Sequence, residues 1–495
     1  VTAPPDAAPA AAPPADGPTA GAVAPAVAET PAAAGAPTVI AEAPRSLGRL
    51  AVAALGVNCV VGSGVFLLPG PVAARLVPAG SAAGASPPPL LVVTAVVGAG
   101  VLACLIALCF AEVASRYRAT GGAYLYAREA FGPLAGFAVG WLSVLAGIVA
   151  WGALVEGFAV ALGRLVPAVA AGAGHAATIL AFLGALAWLN LRGARSGGAL
   201  STAVSGVKLA TLIGFAAAGA LALAHGVAQG AEPLAALSTA EVTEHLPVLP
   251  AAILLMLYAY VGFENLVVPA GEMERPERSL PRSILGVLAT VTVLYAAVLA
   301  VVAGALPDLA GRQNAVAVAA GALFGTAGGT LVAVAVVISI TGVNAASALI
   351  LPRRLSALAD GGDLPAGLGR LHPRHGTPWA AIAVTYALAG AVALSGSFAE
   401  LAALAVVGRL MQYLPTCLAV LVLRRRERRG KAAPPPAALR LPGGPAIPLL
   451  ALTLAAALLL QATPFQLAAG AAALAAGLPL YWWQRAHNEA GTRQP

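Results

Sequence analysis

Inside the run VNCVVGSGVFLLPG, which otherwise reads as a helix made for hydrocarbon, stand Gly62, Ser63 and Gly64. Two residues that weaken a helix flank a serine there. In water an unwound turn costs little. In lipid each unpaired backbone group is expensive, so broken backbone persists at membrane depth only where it lines a polar cavity or binds something. The plain alternative is close packing of small residues between helices. A second such place is YAYVGFENLVVPAGE, where Gly262 lies beside the ionisable Glu264 and Pro269 follows. A carboxylate in an apolar span marks a functional position by default. Its alternative is a carboxyl kept neutral, or tied to a backbone group, at a helix end. Freed N–H groups of one half-helix hold a carboxylate, and freed carbonyls hold an ammonium. The chemistry of the pair is recognition of a small zwitterion with both groups on one carbon.

Three more ionisable residues fall inside apolar stretches. Lys208 lies in STAVSGVKLATLIG and either snorkels to the inner surface or serves the site. Arg409, in VVGRLMQYLPTCLAVLV, must face the interior and find a partner. The expected partner is Glu156 or Glu264; left unpaired, Arg409 would read an acidic group on a substrate. Gln412 and Tyr413 sit beside it and either line the same cavity or make polar contacts between helices. The segment Glu272 to Arg282 reads as a mixed-charge hinge or a solvated charge run. No catalytic constellation is present: the six histidines fall in loops or span ends without metal-ligand spacing, and no phosphate-binding loop occurs. The four cysteines, Cys59, Cys104, Cys109 and Cys417, lie in apolar spans without zinc or disulfide spacing. The expectation is a protein that is not an enzyme and carries no cofactor or metal.

The elements that must position these residues follow from composition. Of 495 residues, 59% are hydrophobic and 10% charged, and the mean hydropathy is +0.87. That is too little charge to cover a soluble protein of this size. An Ala/Pro-rich stretch over 1–43 reads as a disordered tail and not as a signal peptide. About twelve apolar stretches follow, each near the ~20 residues that cross the hydrocarbon. They run approximately over 48–76, 89–114, 133–162, 176–191, 198–224 and 249–270, then 281–306, 329–351, 378–394, 398–423, 445–460 and 465–483. With the N-terminus in the cytoplasm, 23 of the 28 lysines and arginines fall on the inner side. Among these are Arg353, Arg354 and the run from Arg424 to Arg440; only Arg75, Arg164 and Arg312 fall outside. The net charge of +8 is therefore a topology signal, and no nucleic-acid partner is expected. The chain divides into the tail, a ten-span core over 44–424, a basic and Pro-rich loop over 425–444, two further spans over 445–484 and a second tail over 485–495. Both tails are expected in the cytoplasm, and the protein in the cytoplasmic (inner) membrane. One break falls in span one and the other in span six, corresponding places in two inverted bundles of five. That is the sequence pattern of a transporter site.

GSGVFLLPG, followed by YAYVGFENLVVPAGEMERPERSLPRSI, resembles the amino acid–polyamine–organocation (APC) superfamily of amino acid permeases. The resemblance covers the membrane region from Leu47 to the last spans. It implies an all-α membrane protein with a five-plus-five inverted repeat (LeuT-like) and two extra helices. Gly62, Ser63 and Gly64 would then contact the substrate carboxylate. Carbonyls around Tyr258, Ala259 and Val261 would contact its amine, Gly262 would belong to the same substrate site, and Tyr260 would be a gate or a packing aromatic. Lys208 matches a span-five lysine that, in some proton-coupled permeases, takes the place of sodium between spans one and eight. Ser339, Thr341 and Asn344 of span eight are the competing sodium ligands; their hydroxyls also bond harmlessly to helix carbonyls, and Asn344 would bond across helices. The implied function is secondary amino acid transport, Na⁺-independent, with proton coupling through Lys208 or Glu264, or exchange. A polyamine or amine carrier, and a channel or receptor on the same scaffold, are the alternatives. The sequence leaves open which amino acid is carried and the oligomeric state.

Overall fold

The computed structural model describes residues 56–491 apart from 58, 79, 82–84, 118–121, 193–196, 229–237, 265–275, 431–436 and 438. The expected tail over 1–43, the start of the first span, Pro269, Glu272 and Lys431 lie outside the described residues. Among the described residues every regular element is a helix. The first span contributes Gly64–Leu67 (α1) and Pro69–Leu76 (α2), followed by Pro89–Ala114 (α3), Gly122–Phe131 (α4), Pro133–Leu165 (α5) and Gly172–Leu191 (α6). Next come Gly197–Ala228 (α7), Thr239–His245 (α8), Leu249–Met256 (α9), Pro276–Ala305 (α10) and Ala315–Asp360 (α11). Trp379–Ala393 (α12), Phe398–Arg428 (α13), Ala446–Leu459 (α14) and Pro464–Gly491 (α15) complete the order. Eight of these, α3, α5, α6, α7, α10, α11, α13 and α15, are long and apolar enough to cross a bilayer. Helices α8 and α9 form a further segment, bent by 69° at its break; α12 and α14 are apolar but shorter.

Local sequence sets the helix ends. Pro89 and Pro133 open α3 and α5, where the missing N–H would have had no intrahelical partner. Ser397 caps α13: its hydroxyl accepts from the Glu400 amide while its own amide donates to the Glu400 carboxylate at 2.9 Å. Ser397→Ala is expected to cost about 1 kcal/mol, lowering the melting temperature in detergent by no more than about 2 °C. A larger drop would show that the cap does more than hold one helix end.

Helix α11 departs from its expected bounds of 329–351. It starts at Ala315, breaks at Gly325 (φ 73°, ψ −178°) and continues through Pro352 to Asp360. A proline in a helix strips the bond from the carbonyl four residues back. Here that carbonyl, Ala348 O, is taken by the Asn190 side chain at 2.7 Å, so the helix runs on.

Two hydrophobic cores form. The larger joins α1, α2, α3, α9, α10, the first half of α11, α13 and part of α14. The smaller joins α6, α12 and the second half of α11. Helix α5 belongs to both, turning Ala150 and Ala153 to the first and Ile148, Trp151 and Val155 to the second. Where the chain ends α3 and α13, the fully buried Glu112 carboxylate is forked by the Arg424 guanidinium, with one bond at 2.6 Å, and also accepts the Leu441 amide at 3.0 Å. Arg424 reaches on to the Gly444 carbonyl, and Glu427 joins Arg116 and Arg440 alongside. The loop leading into α14 is thus sewn to the end of α3.

Candidate functional site

The first span loses its helix at Val61. The Val61 amide still donates to the Val57 carbonyl at 2.8 Å, and the ladder resumes only where Phe66 and Leu67 reach the Ser63 carbonyl at 3.1 and 3.0 Å. Between these points the amides of Ser63, Gly64 and Val65 meet no backbone carbonyl among the described residues. Gly62 lines an open space: a β-carbon there would come no nearer than 4.0 Å, to the Val60 carbonyl.

The second break follows α9. The helix tightens into a 3₁₀ turn over Leu257–Tyr260, Val261 is extended at ψ 135°, and Gly262 takes φ 121°. That φ favours glycine, and a β-carbon at Gly262 would sit 2.2 Å from the Cys59 carbonyl oxygen. One at Gly64 would lie 2.7 Å from Ala259 Cα and Cβ. The two glycines let the interrupted backbones touch.

Charged and polar side chains hold the broken ends. Glu264 Oε2 accepts from the Gly262 amide at 2.9 Å and from the Tyr413 hydroxyl at 2.9 Å. Its Oε1 lies 3.2 Å from Arg409 Nη1, close enough for an ion pair but off the line of a hydrogen bond. Arg409 Nη1 also donates to Gln412 Oε1 at 3.1 Å. Of the two partners expected for Arg409, Glu264 is the one it meets. Glu156 instead faces His175 at 2.8 Å, in a separate vestibule of about 710 Å³ that Arg164, Asn314 and Ser397 also line. Lys208 is 1% exposed, so it does not snorkel; its Nζ donates to the Val61 carbonyl at 3.0 Å, at the first break. Thr341 spends its hydroxyl on the Val337 carbonyl of its own helix, and Asn344 crosses to the Leu154 carbonyl at 3.0 Å.

A cavity of about 90 Å³ lies between the breaks. Gly62, Ser63 and Gly64 form one wall and Tyr258, Ala259, Val261, Gly262 and Glu264 another. Trp151 and Leu154 of α5, Leu351 and Arg354 of α11, and Arg409 of α13 close it. It therefore sits on the seam of the two cores. Tyr260, grouped with these by sequence, is not in the lining. Its side chain turns to α3, where its hydroxyl donates to the Val96 carbonyl at 3.0 Å and its ring packs edge-on to Tyr295. It is a packing aromatic. Gln412 and Tyr413 stand behind the lining and position Arg409 and Glu264.

Sequence reasoning missed Trp151, Tyr295 and Arg354. The Tyr295 hydroxyl of α10 lies 3.3 Å from both the Val60 and the Ala259 carbonyls, one from each break. A tyrosine at mid-span was the available signal, since a buried hydroxyl needs a partner.

A sequence profile of the family described as "Amino acid permease" matches residues 47–482. Among similar proteins is an uncharacterized transporter of Mycobacterium tuberculosis, 31% identical over 415 residues, or 78% of this chain and 82% of the relative. The serine/threonine exchanger SteT of Bacillus subtilis is 29% identical over 397 residues, 79% of this chain and 85% of its own. The branched-chain amino acid permease BcaP of the same organism is 28% identical over 434 residues, covering 82% and 86%.

Proposed function

This chain belongs to the amino acid permease family, and from that premise we propose that it is a secondary active transporter moving amino acids by alternating access. It is an integral, multi-pass membrane protein. The observation that supports the mechanism is the cavity between two interrupted helices, with amides that meet no backbone carbonyl among the described residues on one side and close-packed, carbonyl-bearing backbone on the other. The amides of Ser63 and Gly64 take the substrate carboxylate; the carbonyls around Tyr258, Ala259 and Val261 take its ammonium. Twelve spans fit the order of the helices, if the first span, α8 with α9, α12 and α14 each count as one. Spans one to five and six to ten are then inverted repeats, and the last two are additions. The bias of the basic residues supports a reading with both termini in the cytoplasm, and we take the membrane to be the cytoplasmic (inner) one.

Alternation follows from the two cores. The cores are separate apart from α5 and α11, which both share, so rocking one on the other about α5 would open the cavity to alternate sides. Lys208 stands at the first break with its ammonium on the Val61 carbonyl, where it supplies a cation with no sodium. Coupling is on this reading to protons through Lys208 or Glu264, or transport is exchange, as in the serine/threonine exchanger SteT. Two arginines in the cavity lining make a polyamine a poor match.

Counterflow in proteoliposomes tests transport: labelled amino acid should accumulate transiently against unlabelled substrate inside, saturably and without Na⁺. Binding without flux would favour a receptor, and unsaturable flux a channel. Lys208→Ala should flatten the pH dependence of uptake. An unchanged pH profile removes the lysine from the coupling step.

A further inference from the structure

The breaks recognise what all α-amino acids share, so selection falls to the wall made by α5, α11 and α13. Two donors on that wall are buried and without an acceptor among the described residues: Trp151 Nε1 and Arg409 Nε. Trp151 is 0% exposed and Arg409 5%. An indole N–H can only donate, and a buried one ordinarily finds a partner. The Trp151 ring is held edge-on against Tyr386, centroids 4.7 Å apart. The Tyr386 hydroxyl is itself engaged with Asn190 and the Ala348 carbonyl, away from the indole nitrogen. Arg409 has committed Nη1 to Gln412 and Glu264 and still holds Nε unused. Both residues line the cavity and each keeps a donor unused, beside the Ser347 hydroxyl of α11; unused donors in a lining are half of a recognition site.

Resting on the transport reading above, we propose that Trp151 and Arg409 form the side-chain subsite, and that it selects small amino acids whose side chain carries a hydrogen-bond-accepting oxygen over aliphatic ones of equal shape. The cavity of about 90 Å³ is small, which favours small substrates such as serine and threonine over the aromatic amino acids. An aliphatic side chain of the same outline leaves both donors unpaired in a dry site, and sites of that kind reject the analogue that lacks the polar atom far more strongly than they resolve a missing methylene.

Threonine and valine are matched in shape and differ in one hydroxyl, so they test this directly. In counterflow with the full chain, threonine should be taken up at least about tenfold faster than valine at equal, subsaturating concentration. Trp151→Phe keeps a ring against Tyr386 and deletes the N–H. It should bring the ratio close to one, with valine uptake retained and the melting temperature within a few degrees. Equal rates in the unaltered protein, or an undiminished ratio in Trp151→Phe, overturn the subsite while leaving transport intact. If folded protein moves none of threonine, valine, serine and alanine, transport and the subsite fall together. Should Trp151→Phe not fold, thermal shifts of the unaltered protein decide: stabilisation by threonine and serine but not by valine and alanine supports the subsite, and the reverse overturns it.

Discussion

Gly262→Ala is expected to lower substrate affinity at least about 100-fold, a loss of about 2.8 kcal/mol at 1.4 kcal/mol per decade. Two effects add. At φ 121° an alanine is strained by its own backbone, at a cost of about 1–3 kcal/mol. Its β-carbon would also stand 2.2 Å from the Cys59 carbonyl. That obstacle is backbone, so it yields only if the first span moves away from the second break. Moving it would separate the amides proposed for the carboxylate from the carbonyls proposed for the ammonium. Gly62→Ala is the control. Its methyl meets nothing closer than 4.0 Å and projects from a cavity-lining residue, so it should leave the melting temperature alone and weaken binding by steric competition. Thermal-shift titrations of both variants with the transported amino acid separate the cases. Full affinity in Gly262→Ala would mean that the touching breaks do not form the site.

The second large effect is expected at Arg409. Arg409→Leu takes from the Glu264 carboxylate, 3% exposed at its side chain, its ion-pair partner, leaving Arg354 of the same lining as the remaining cation nearby. Removing one partner of a buried pair costs about 3–5 kcal/mol. Glu264 would still accept from the Gly262 amide and the Tyr413 hydroxyl, which places the loss toward the lower end of that range. Melting in detergent should fall by several degrees, and uptake should collapse because the second break is no longer anchored. The double exchange Arg409→Glu with Glu264→Arg should recover part of the stability lost by either single change, although Gln412 and Tyr413 remain shaped for the original polarity. A double exchange no more stable than its worse single member would show that the pairing itself carries no energy.

The two breaks were legible because they violate a strong rule: glycine around a serine, and glycine beside a carboxylate, have few uses in hydrocarbon. Lys208 and Arg409 stood out for the same reason. What the sequence hid depends on rotation about helix axes and on where helices stop. Trp151 and Tyr295 are ordinary aromatics in apolar runs, and only packing shows which faces the breaks. Arg354 read as a loop residue because Pro352 looks like a helix end. The Asn190 amide, far away in sequence, fills the gap that proline leaves, so α11 carries Arg354 into the lining. Glu156 failed as a partner for Arg409 because α5 places it in the separate vestibule beside His175.

The forked contact between Arg424 and Glu112 bears on which parts can slide. A carboxylate gripped by a guanidinium and a main-chain amide behaves as a rivet: bodies on its two sides travel together, or a dry charge is stripped bare at the worst possible moment. The plates it fastens are α3, the foot of α13 and the approach to α14. In the proposed rocking motion these plates would move together, which would leave the shear plane on the opposite flank, against α5. Of the last two helices only α14 is fastened to these plates; α15 lies across the plane, its Ala473 carbonyl taken by Trp141 of α5 and its Tyr481 ring against Phe137.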